Sequence, residues 1–374
     1  MRVLHLIDHM GLGGEQHIVL DLVGAHSPDM KHTAWALRRN DLPGVPERFA
    51  AAGVPYRALG LTRNNPLPAV AFRSLLRQAR PDLLHLHLEA STLIGTVTAL
   101  SFAPPRPLLV ASVANDPHQQ AFVHRCAGRL LAPYIDLHLT ASRGIHDAVL
   151  DAYARRTRRV EIVGPGIDLV RFDRSRVDPA RVAEYRGGAR WLVGTVARLA
   201  TQKAIHVLLD ATPLLLREDP DTRVLIVGEG PLRATLVDHA RRLGITHAVR
   251  FAGYQEDVGS AYAAMDAFVL PSRDEGFGLV FLEAMAMGVP VVGTRVIGTM
   301  DAVEDGVTGL LVPYADAPAL AEAVRRLLGD PELARRLRVT AAERVHRCFS
   351  REQSAARIEH LYRELAEERR KDAA

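Results

Sequence analysis

Two acidic residues, Glu275 and Glu283, flank a glycine-bearing turn that leads into an apolar helix. The run AFVL at 267–270 is typical of a buried strand, and turn residues follow it. After Gly278, the stretch LVFLEAMAM at 279–287 is predicted to be a helix. A helix N-terminus offers unpaired backbone N–H groups and the positive end of the helix dipole, so this junction suits a phosphate. Glu283 interrupts an apolar helix and is therefore either solvent-exposed or functional.

Two cations, Arg198 and Lys203, stand in the segment VARLATQKAI, where a strand ends and the next helix begins. A fixed guanidinium and a flexible ammonium at such a place would hold a diphosphate without a metal. The alternative is a pair of ordinary surface cations. Lysine is scarce in this chain, with 3 lysines against 44 arginines, which favours a specific use of Lys203.

A glycine loop, Gly11-Leu12-Gly13-Gly14, follows the first predicted strand. The dinucleotide fingerprint needs a further glycine three residues after its second one, and Gln16 occupies that position. Arg38 and Arg39 after the second strand would suit a 2′-phosphate, so an NADP site stays an alternative. The loop is otherwise either a simple turn or a place where backbone N–H groups approach a phosphate or a sugar.

His85, His87 and Glu89 alternate along the end of a predicted strand and share one face of it. This trio is compatible with zinc, with contact to an acceptor or sugar, or with a structural role. The motifs G-x-S-x-G, H-E-x-x-H and GxxxxGK[ST] do not occur in the sequence. Aromatic residues make up only 5% of the chain, and no basic run is interleaved with them, which argues against nucleic acid.

Apolar strand-like runs alternate with amphipathic helix-like stretches along the whole chain, which predicts parallel sheets covered by helices on both faces. A punctuated segment around Gly164–Gly166 interrupts the series. We therefore expect an α/β protein of two doubly wound, Rossmann-like domains facing each other across a cleft, with ligands at the carboxyl ends of the strands. The predicted parts are residues 1–167, residues 168–350, and a C-terminal helix, 351–374.

Composition limits the environment and the partners. Residues 1–168 contain 18 Lys and Arg against 14 Asp and Glu, and the remainder holds 29 of each, so the formal charge of +4 lies in the first half. A basic half suits an anionic partner such as a phospholipid surface or a lipid-linked phosphate, or is simply a solvated face. Two distant cysteines and the lack of an 18-residue apolar run predict a reducing, cytoplasmic location without a membrane span.

The sequence resembles retaining glycosyltransferases of family 4, which have the GT-B fold. The resemblance covers most of residues 160–345 and is weaker in the first half. The segments that carry it are GGEQ (13–16), GPGIDLVRF (164–172), VARLATQKAI (196–205), LIVGEGPLR (225–233), VRFAGYQEDV (249–258) and SRDEGFGLVFLEAMAMGVPVVGT (272–294).

Carried over position by position, the resemblance implies that Arg198 and Lys203 bind the donor diphosphate. It implies that Glu275 contacts the transferred sugar and that Glu283 holds the ribose hydroxyls. The family works without a bound metal or other cofactor, and its C-terminal helix packs back on the first domain. The other implied donor contacts are Gly13, Gly14, Gly253, Tyr254, Val258, Phe277, Gly278, Leu279 and Val280.

The first domain departs from the family at one position. Many members carry a histidine at the end of the strand that corresponds to 108–113, and Ala114 stands there in this sequence. Asn115, Asp116 or His118 could take over its contact with the sugar. We expect these residues, together with His85 and His87, to be candidates for acceptor or sugar contacts.

The resemblance implies transfer of a hexose from a UDP- or GDP-sugar to an acceptor hydroxyl, with retention at the anomeric carbon. Synthesis of a cell-surface polysaccharide, a lipopolysaccharide or a glycolipid would fit, with a peripheral contact at the inner membrane face. The alternatives are a GT-B sugar-nucleotide epimerase and a nucleotide-sugar-binding protein without catalysis. The sequence leaves the sugar, the base and the acceptor open.

Overall fold

The computed structural model describes residues 1–11, 14–39, 41, 44–61 and 67–372, with backbone alone for residues 67–71. It divides into two compact units. The first unit combines residues 1–166 with the C-terminal segment that begins at Arg351, and the second unit spans Ile167–Ser350. Each unit is a parallel sheet with helices on both of its faces, as the alternating pattern predicts.

The sheet of the first unit has, within the described residues, seven parallel strands in the order β3-β2-β1-β4-β5-β6-β7. The strands are β1 (Arg2–Ile7), β2 (Lys31–Ala36), β3 (Tyr56–Ala58), β4 (Leu83–His87), β5 (Leu108–Val113), β6 (Leu137–Thr140) and β7 (Val160–Ile162). The helices are α1 (Gly14–Gly24), α2 (Val45–Ala51), α3 (Leu67–Ala79), α4 (Glu89–Leu100), α5 (Phe122–Leu131), α6 (Arg143–Ala152) and, from the end of the chain, α15 (Arg351–Asp372).

Both faces of this sheet are buried, which explains why its strands read as nearly continuous apolar runs. On one face, Val3 of β1 and Leu83 of β4 pack in one cluster with Leu361 and Tyr362 of α15. The opposite face has a separate cluster that includes Phe72 of α3. The C-terminal helix therefore belongs to the core of the first unit, as expected.

The sheet of the second unit has six strands in the order β10-β9-β8-β11-β12-β13, again within the described residues. The strands are β8 (Trp191–Val196), β9 (Thr222–Val227), β10 (Val249–Gly253), β11 (Ala267–Leu270), β12 (Val291–Thr294) and β13 (Leu310–Val312). The helices are α7 (Pro179–Arg186), α8 (Ile205–Glu218), α9 (Arg233–Arg242), α10 (Val258–Ala264), α11 (Leu279–Ala286), α12 (Thr299–Ala302), α13 (Ala317–Gly329) and α14 (Pro331–Cys348).

Both sheets reverse their strand order at one place. In the first sheet the reversal lies between β1 and β4, and in the second it lies between β8 and β11. Ligands of open parallel sheets bind at such switch points, outside the carboxyl ends of the strands. The doubly wound α/β class predicted from the sequence is confirmed. No helix in the described part of the chain combines the length and the apolar content that a membrane-spanning segment needs.

Candidate active site

The switch point of the second sheet brings Lys203 and Glu275 together. Lys203 ends a short 3₁₀ turn after β8, and Glu275 lies in the loop after β11, which pairs with β8. Lys203 Nζ lies 2.5 Å from Glu275 Oε1, and the Ser272 hydroxyl donates to the same oxygen over 2.7 Å. The side chain of Glu275 is only 5% exposed and that of Lys203 is 18% exposed. A buried carboxylate is thus held by a cation and a hydroxyl.

This arrangement leaves donors free for a ligand. An ammonium group has three N–H donors, and the described contacts of Lys203 use one of them, on Glu275. Arg198 lies five residues earlier, after β8, and its side chain is exposed. Among the described residues its guanidinium has no hydrogen-bond or ion-pair partner. Both cations can therefore turn toward an anion at this edge of the sheet.

The loop that carries Glu275 is fixed by its neighbours. The backbone N–H of Arg273 donates to the carbonyl of Gln202 over 2.8 Å, which ties the loop to the 3₁₀ turn. The Thr294 hydroxyl donates to the carbonyl of Ser272. Gly298 has a φ of +81°, and a Cβ there would collide with the backbone of Glu275 and Gly276. The carboxylate of Glu275 is therefore presented by a rigid loop.

Helix α11 begins directly after this loop at a left-handed glycine. Gly278 has a φ of +86°, and a Cβ there would lie 2.8 Å from the ring of Phe281. No side chain caps this helix start. The backbone N–H of Phe281 bonds to the carbonyl of Gly278, so the amides of Leu279 and Val280 are the ones left for a ligand. Such a helix start favours a phosphate group.

Glu283 is held in place from inside the fold. The hydroxyl of Tyr262 donates to Glu283 Oε2 over 2.7 Å. Complete burial, followed by the charge of Glu283, raises the pKa of Tyr262 well above its usual value, so the phenol keeps its proton. Glu283 itself is half-buried. One carboxylate oxygen is therefore oriented by the protein, and the other can accept hydrogen bonds from a ligand.

Replacing Tyr262 by phenylalanine is expected to weaken binding of a nucleoside diphosphate about tenfold, because it removes a hydrogen bond to a charged group. The ring packing against Phe268 is retained. Calorimetric titration with UDP and GDP measures the change. Tyr185→Phe is the matched control, since its hydroxyl bonds to Gln255 over 3.0 Å and not to Glu283. Equal affinities for both variants would contradict the assignment of Glu283.

Other predicted donor contacts lie at the end of β10, after β10 and after β11. Gly253 has a φ of +72°, and a Cβ there would lie 3.1 Å from Glu229 Oε1. Tyr254 is 47% exposed, and the half-buried Val258 begins α10. Phe277, in contrast, is buried, so only its backbone is available to a ligand, as the resemblance implies.

The glycine loop of the first unit is tied at both of its ends. The N–H of Gly11 donates to His9 Nδ1 over 3.1 Å, and the Gln16 amide donates to the carbonyl of His9 over 3.3 Å. Gly14 is the first residue of α1. Gly13, a predicted donor contact, lies outside the described residues.

His85 and His87 are fully buried in β4, and the prediction that they contact an acceptor or a sugar is wrong. The Tyr362 hydroxyl of α15 lies 2.6 Å from His85 Nδ1, and His85 Nε2 lies 2.9 Å from the Ser112 hydroxyl. His87 Nδ1 lies 2.9 Å from Glu15 Oε1. The alternating histidines point into the core because α1 and α15 cover that face of the sheet.

The structure also corrects the alternative prediction that His85, His87 and Glu89 form a zinc site. Among the described residues, the group that could hold a metal is His5, His85 and His87, whose ligand atoms lie within 4.8 Å of one another. Glu89 is not part of it. Every ring nitrogen of these three histidines has a hydrogen-bond partner. We therefore interpret the group as a hydrogen-bond network.

The segment after β5 contains Ala114 and the predicted substitutes for the missing histidine. Asp116 accepts from the backbone N–H of His118 over 2.9 Å, and His118 Nε2 lies 3.1 Å from Asp151. Asn115 is exposed. Ala114 and Asn115 line a cavity of about 40 Å³ at the carboxyl ends of β4 and β5. Asn115 is thus the candidate whose position best suits a ligand in this unit.

Two residues of the site were not predicted. Ser272 stands three residues before Glu275, which is the Ser-x-x-Glu spacing of a capping box and was a usable signal. Tyr262 had no such signal, because its contact with Glu283 spans 21 residues and depends on how α10 packs beside α11.

Comparison with known proteins assigns a family to the second unit. Residues 181–344 match the family described as Glycosyl transferases group 1. This range includes Arg198, Lys203, Glu275 and Glu283.

Relatives extend the match over most of the chain. The chain is 31% identical over 336 residues to the GDP-mannose-dependent alpha-(1-6)-phosphatidylinositol monomannoside mannosyltransferase of Mycolicibacterium smegmatis, covering 86% of this chain and 87% of that protein. It is 37% identical over 231 residues to the D-inositol 3-phosphate glycosyltransferase of Corynebacterium urealyticum, covering 58% of this chain. That second match spans 54% of the relative, so the chain covers about half the length of this relative.

Solved structures share the fold. The structure of Anabaena HepE in complex with UDP-glucose aligns with 97% of this chain and 100% of that chain, with a TM-score of 0.86 and 20% sequence identity. At this identity the likeness shows the fold alone, and it extends over both halves of the chain.

Proposed function

The chain belongs to the group 1 glycosyl transferase family and has the GT-B fold, and on this premise we propose that it transfers a sugar from a nucleoside diphosphate sugar to an acceptor hydroxyl with retention. The observation that carries the proposal is the Lys203–Glu275–Ser272 network beside the uncapped start of α11. A diphosphate needs cations and amides, and a sugar needs a fixed carboxylate. Both sets of groups occur together at the switch point of the second sheet.

In the proposed reaction, the bond between the anomeric carbon and the diphosphate oxygen breaks, and a bond to the acceptor oxygen forms on the same face. The departing phosphate oxygen takes the acceptor proton, and the nucleoside diphosphate leaves. Arg198, Lys203 and the amides at the start of α11 stabilise the negative charge that develops on the leaving group. Glu275 orients the sugar and Glu283 accepts from the ribose hydroxyls. The reaction as written uses no metal or other cofactor.

We also propose that the backbone of the other predicted donor-binding positions contacts the donor. The acceptor is proposed to bind near Asn115. The donor is a UDP- or GDP-sugar, and the names of the relatives support an acceptor that is a phosphorylated polyol or a glycolipid built on one.

A binding screen followed by a reaction tests this proposal. A ligand that binds only the folded state raises its melting temperature. We expect UDP or GDP to raise it, ADP to raise it less, and the matching sugar nucleotide to yield a glycosylated product with a panel of polyol and glycolipid acceptors. Stabilisation without product across the panel would instead favour a binding protein. Conversion of the sugar nucleotide alone, followed by NMR, would favour an epimerase.

The outward face of α5 supports a peripheral contact with an anionic membrane surface. Phe122, Val123 and Leu130 are 71%, 70% and 65% exposed, respectively. They recur at helical spacing and form one apolar stripe. Residues 117–135 contain no acidic residue, and α5 itself carries Arg125 and Arg129. An apolar stripe beside cations favours the interface of an anionic bilayer.

We expect the combined variant F122S/V123S/L130S to lose at least about tenfold in affinity for vesicles that contain phosphatidylglycerol, because burial of three apolar side chains is lost. Co-sedimentation measures the bound fraction, with neutral phosphatidylcholine vesicles for comparison. Val339→Ser, at an exposed valine of α14 that is 42% exposed, is the matched control. Equal sedimentation of the triple variant and wild type would contradict the assigned face.

A further inference from the structure

A chain of buried side chains crosses the core of the first unit from α1 to α15. It consists of Glu15, His87, His5, His32 and Glu359, and we call it the buried relay. The members are between 0% and 7% exposed. Glu15 and Glu359 stand at its two ends, and the three histidines lie on the neighbouring strands β4, β1 and β2.

Three of the four separations between neighbouring members of the relay are within hydrogen-bond distance, and the fourth is longer. Glu15 Oε1 lies 2.9 Å from His87 Nδ1, His87 Nε2 lies 3.1 Å from His5 Nδ1, and His5 Nε2 lies 2.8 Å from His32 Nδ1. The last separation, from His32 Nε2 to Glu359 Oε1, is 3.7 Å, which is too long for a hydrogen bond. Within the described residues, His32 Nε2 has no hydrogen-bond partner.

The number of protons explains this pattern. A neutral imidazole carries one N–H, so three neutral histidines supply three protons. The four gaps between the two carboxylates would need four. If every histidine carries its proton on Nδ1, all three short gaps are filled and the gap to Glu359 stays open. If every histidine carries its proton on Nε2, His32 can donate to Glu359, but His87 cannot donate to Glu15.

The partners at the two ends select the first arrangement. Glu359 already accepts from the backbone N–H and the hydroxyl of Ser27, over 2.8 Å and 2.6 Å, and from Arg363 over 3.3 Å. The hydrogen bond described for Glu15 comes from His87. A proton donated by the relay therefore stabilises Glu15, whose described donor is His87, more than Glu359, which already has other donors.

Burial keeps His5 and His32 neutral. Burial, and then the neighbouring His32 and His87, lower the pKa of His5 well below its usual value. Burial, followed by His26, lowers the pKa of His32 to about 4, although Glu359 opposes the shift. His85 lies beside the relay, but its two ring nitrogens contact the hydroxyls of Tyr362 and Ser112 and no member of the relay.

We propose that the buried relay is a directional set of hydrogen bonds ending on Glu15, and that Glu15 is a positioning residue for the start of α1, where Gly14 is the first residue. His5 and His87 lie on the two strands that flank the switch point of the first sheet, and Glu15 lies in the first turn of α1 after the loop. The relay fixes the start of α1 against both strands. The functional part rests on the proposed function, which gives Gly14 a contact with the donor.

The protonation pattern is tested by ¹⁵N NMR of protein labelled on histidine, at pH 7. We expect His5, His32 and His87 to be protonated on Nδ1. In E15M the acceptor is gone, so all three relay protons should move to Nε2 and His32 should donate to Glu359. In E15Q an acceptor oxygen remains, so the pattern should stay as in wild type. A wild-type His87 protonated on Nε2, or an E15M pattern identical to wild type, would overturn the proposal.

Kinetics test the positioning role. We expect E15M to lose about 10-fold to 100-fold in kcat/KM for the sugar nucleotide through misplacement of the start of α1, and E15Q to stay near wild type. If the protonation moves as expected but E15M keeps wild-type kcat/KM, the positioning role is wrong. If no sugar transfer is found at all, the proposed function fails while the NMR result still decides the relay. The wild-type spectrum alone tests the relay if E15M does not fold.

Discussion

Replacing Lys203 by alanine is expected to lower kcat by about 10²-fold to 10³-fold, the loss typical of removing one group that stabilises transition-state charge. Lys203 Nζ contacts Glu275 and keeps other N–H donors for a leaving diphosphate. Because this charge develops as the bond breaks, kcat should fall more than KM rises. Steady-state kinetics with the sugar nucleotide identified by the binding screen measures both parameters.

The control must separate lost chemistry from lost stability. Lys203→Ala leaves a carboxylate that is 5% exposed without its cation, and breaking one partner of a buried pair costs about 3–5 kcal/mol at most sites. The double variant K203A/E275Q removes that unpaired charge and should recover most of the melting temperature while its kcat stays low. Arg325→Ala, at an exposed pair with Glu322, should change neither quantity. Wild-type turnover in K203A would refute the assignment of the diphosphate site.

The parts of the fold that local sequence determines were predicted well. The run AFVL coincides with β11, and the predicted helix 279–287 with α11 apart from one residue. The pairing of β8 with β11 could not be derived from such local patterns, since these strands are more than 70 residues apart and two strands lie between them in the sequence. That pairing is what brings Lys203 to Glu275. The resemblance to family 4 did predict this proximity, because it places Lys203 and Glu275 in one donor-binding site.

The first unit shows where local pattern misleads. Two histidines at the end of a strand suggest a polar substrate, yet His85 and His87 face the core. Their partners come from Tyr362, 277 residues away, and from Glu15, 72 residues away. The alternation of residues along β4 carries no information about partners so distant in the sequence.

Acidification is expected to destabilise the first unit before the second. Burial is the main cause that lowers the pKa of His32 and His138 to about 4, and burial also lowers the pKa of His5 and of His85 well below the usual value. In the unfolded chain a histidine binds its proton near pH 6.5. Between about pH 6.5 and 4 the unfolded state therefore holds more protons, and stability falls as the pH falls.

The slope can be estimated for the two histidines whose folded pKa is about 4. Each loses about 1.4 kcal/mol of unfolding free energy per pH unit, so the pair loses up to about 2.7 kcal/mol per unit below pH 6.5. The second unit contains His206, His239, His247 and His346, and none of these is buried. The described residues of the second unit therefore include no buried histidine that would lower its stability in acid in the same way.

Each unit contains one tryptophan, which makes the comparison direct. Trp35 lies in β2 of the first unit and Trp191 in β8 of the second. We expect the urea midpoint of W191F, which reports on the first unit, to fall steeply from pH 7.5 to pH 5.5, and that of W35F to fall much less. His138→Gln removes one titrating group and should flatten the W191F dependence, whereas His346→Gln, at an exposed position, should not. Parallel shifts in W191F and W35F would show that the buried histidines do not set the acid stability, since only the first unit contains them.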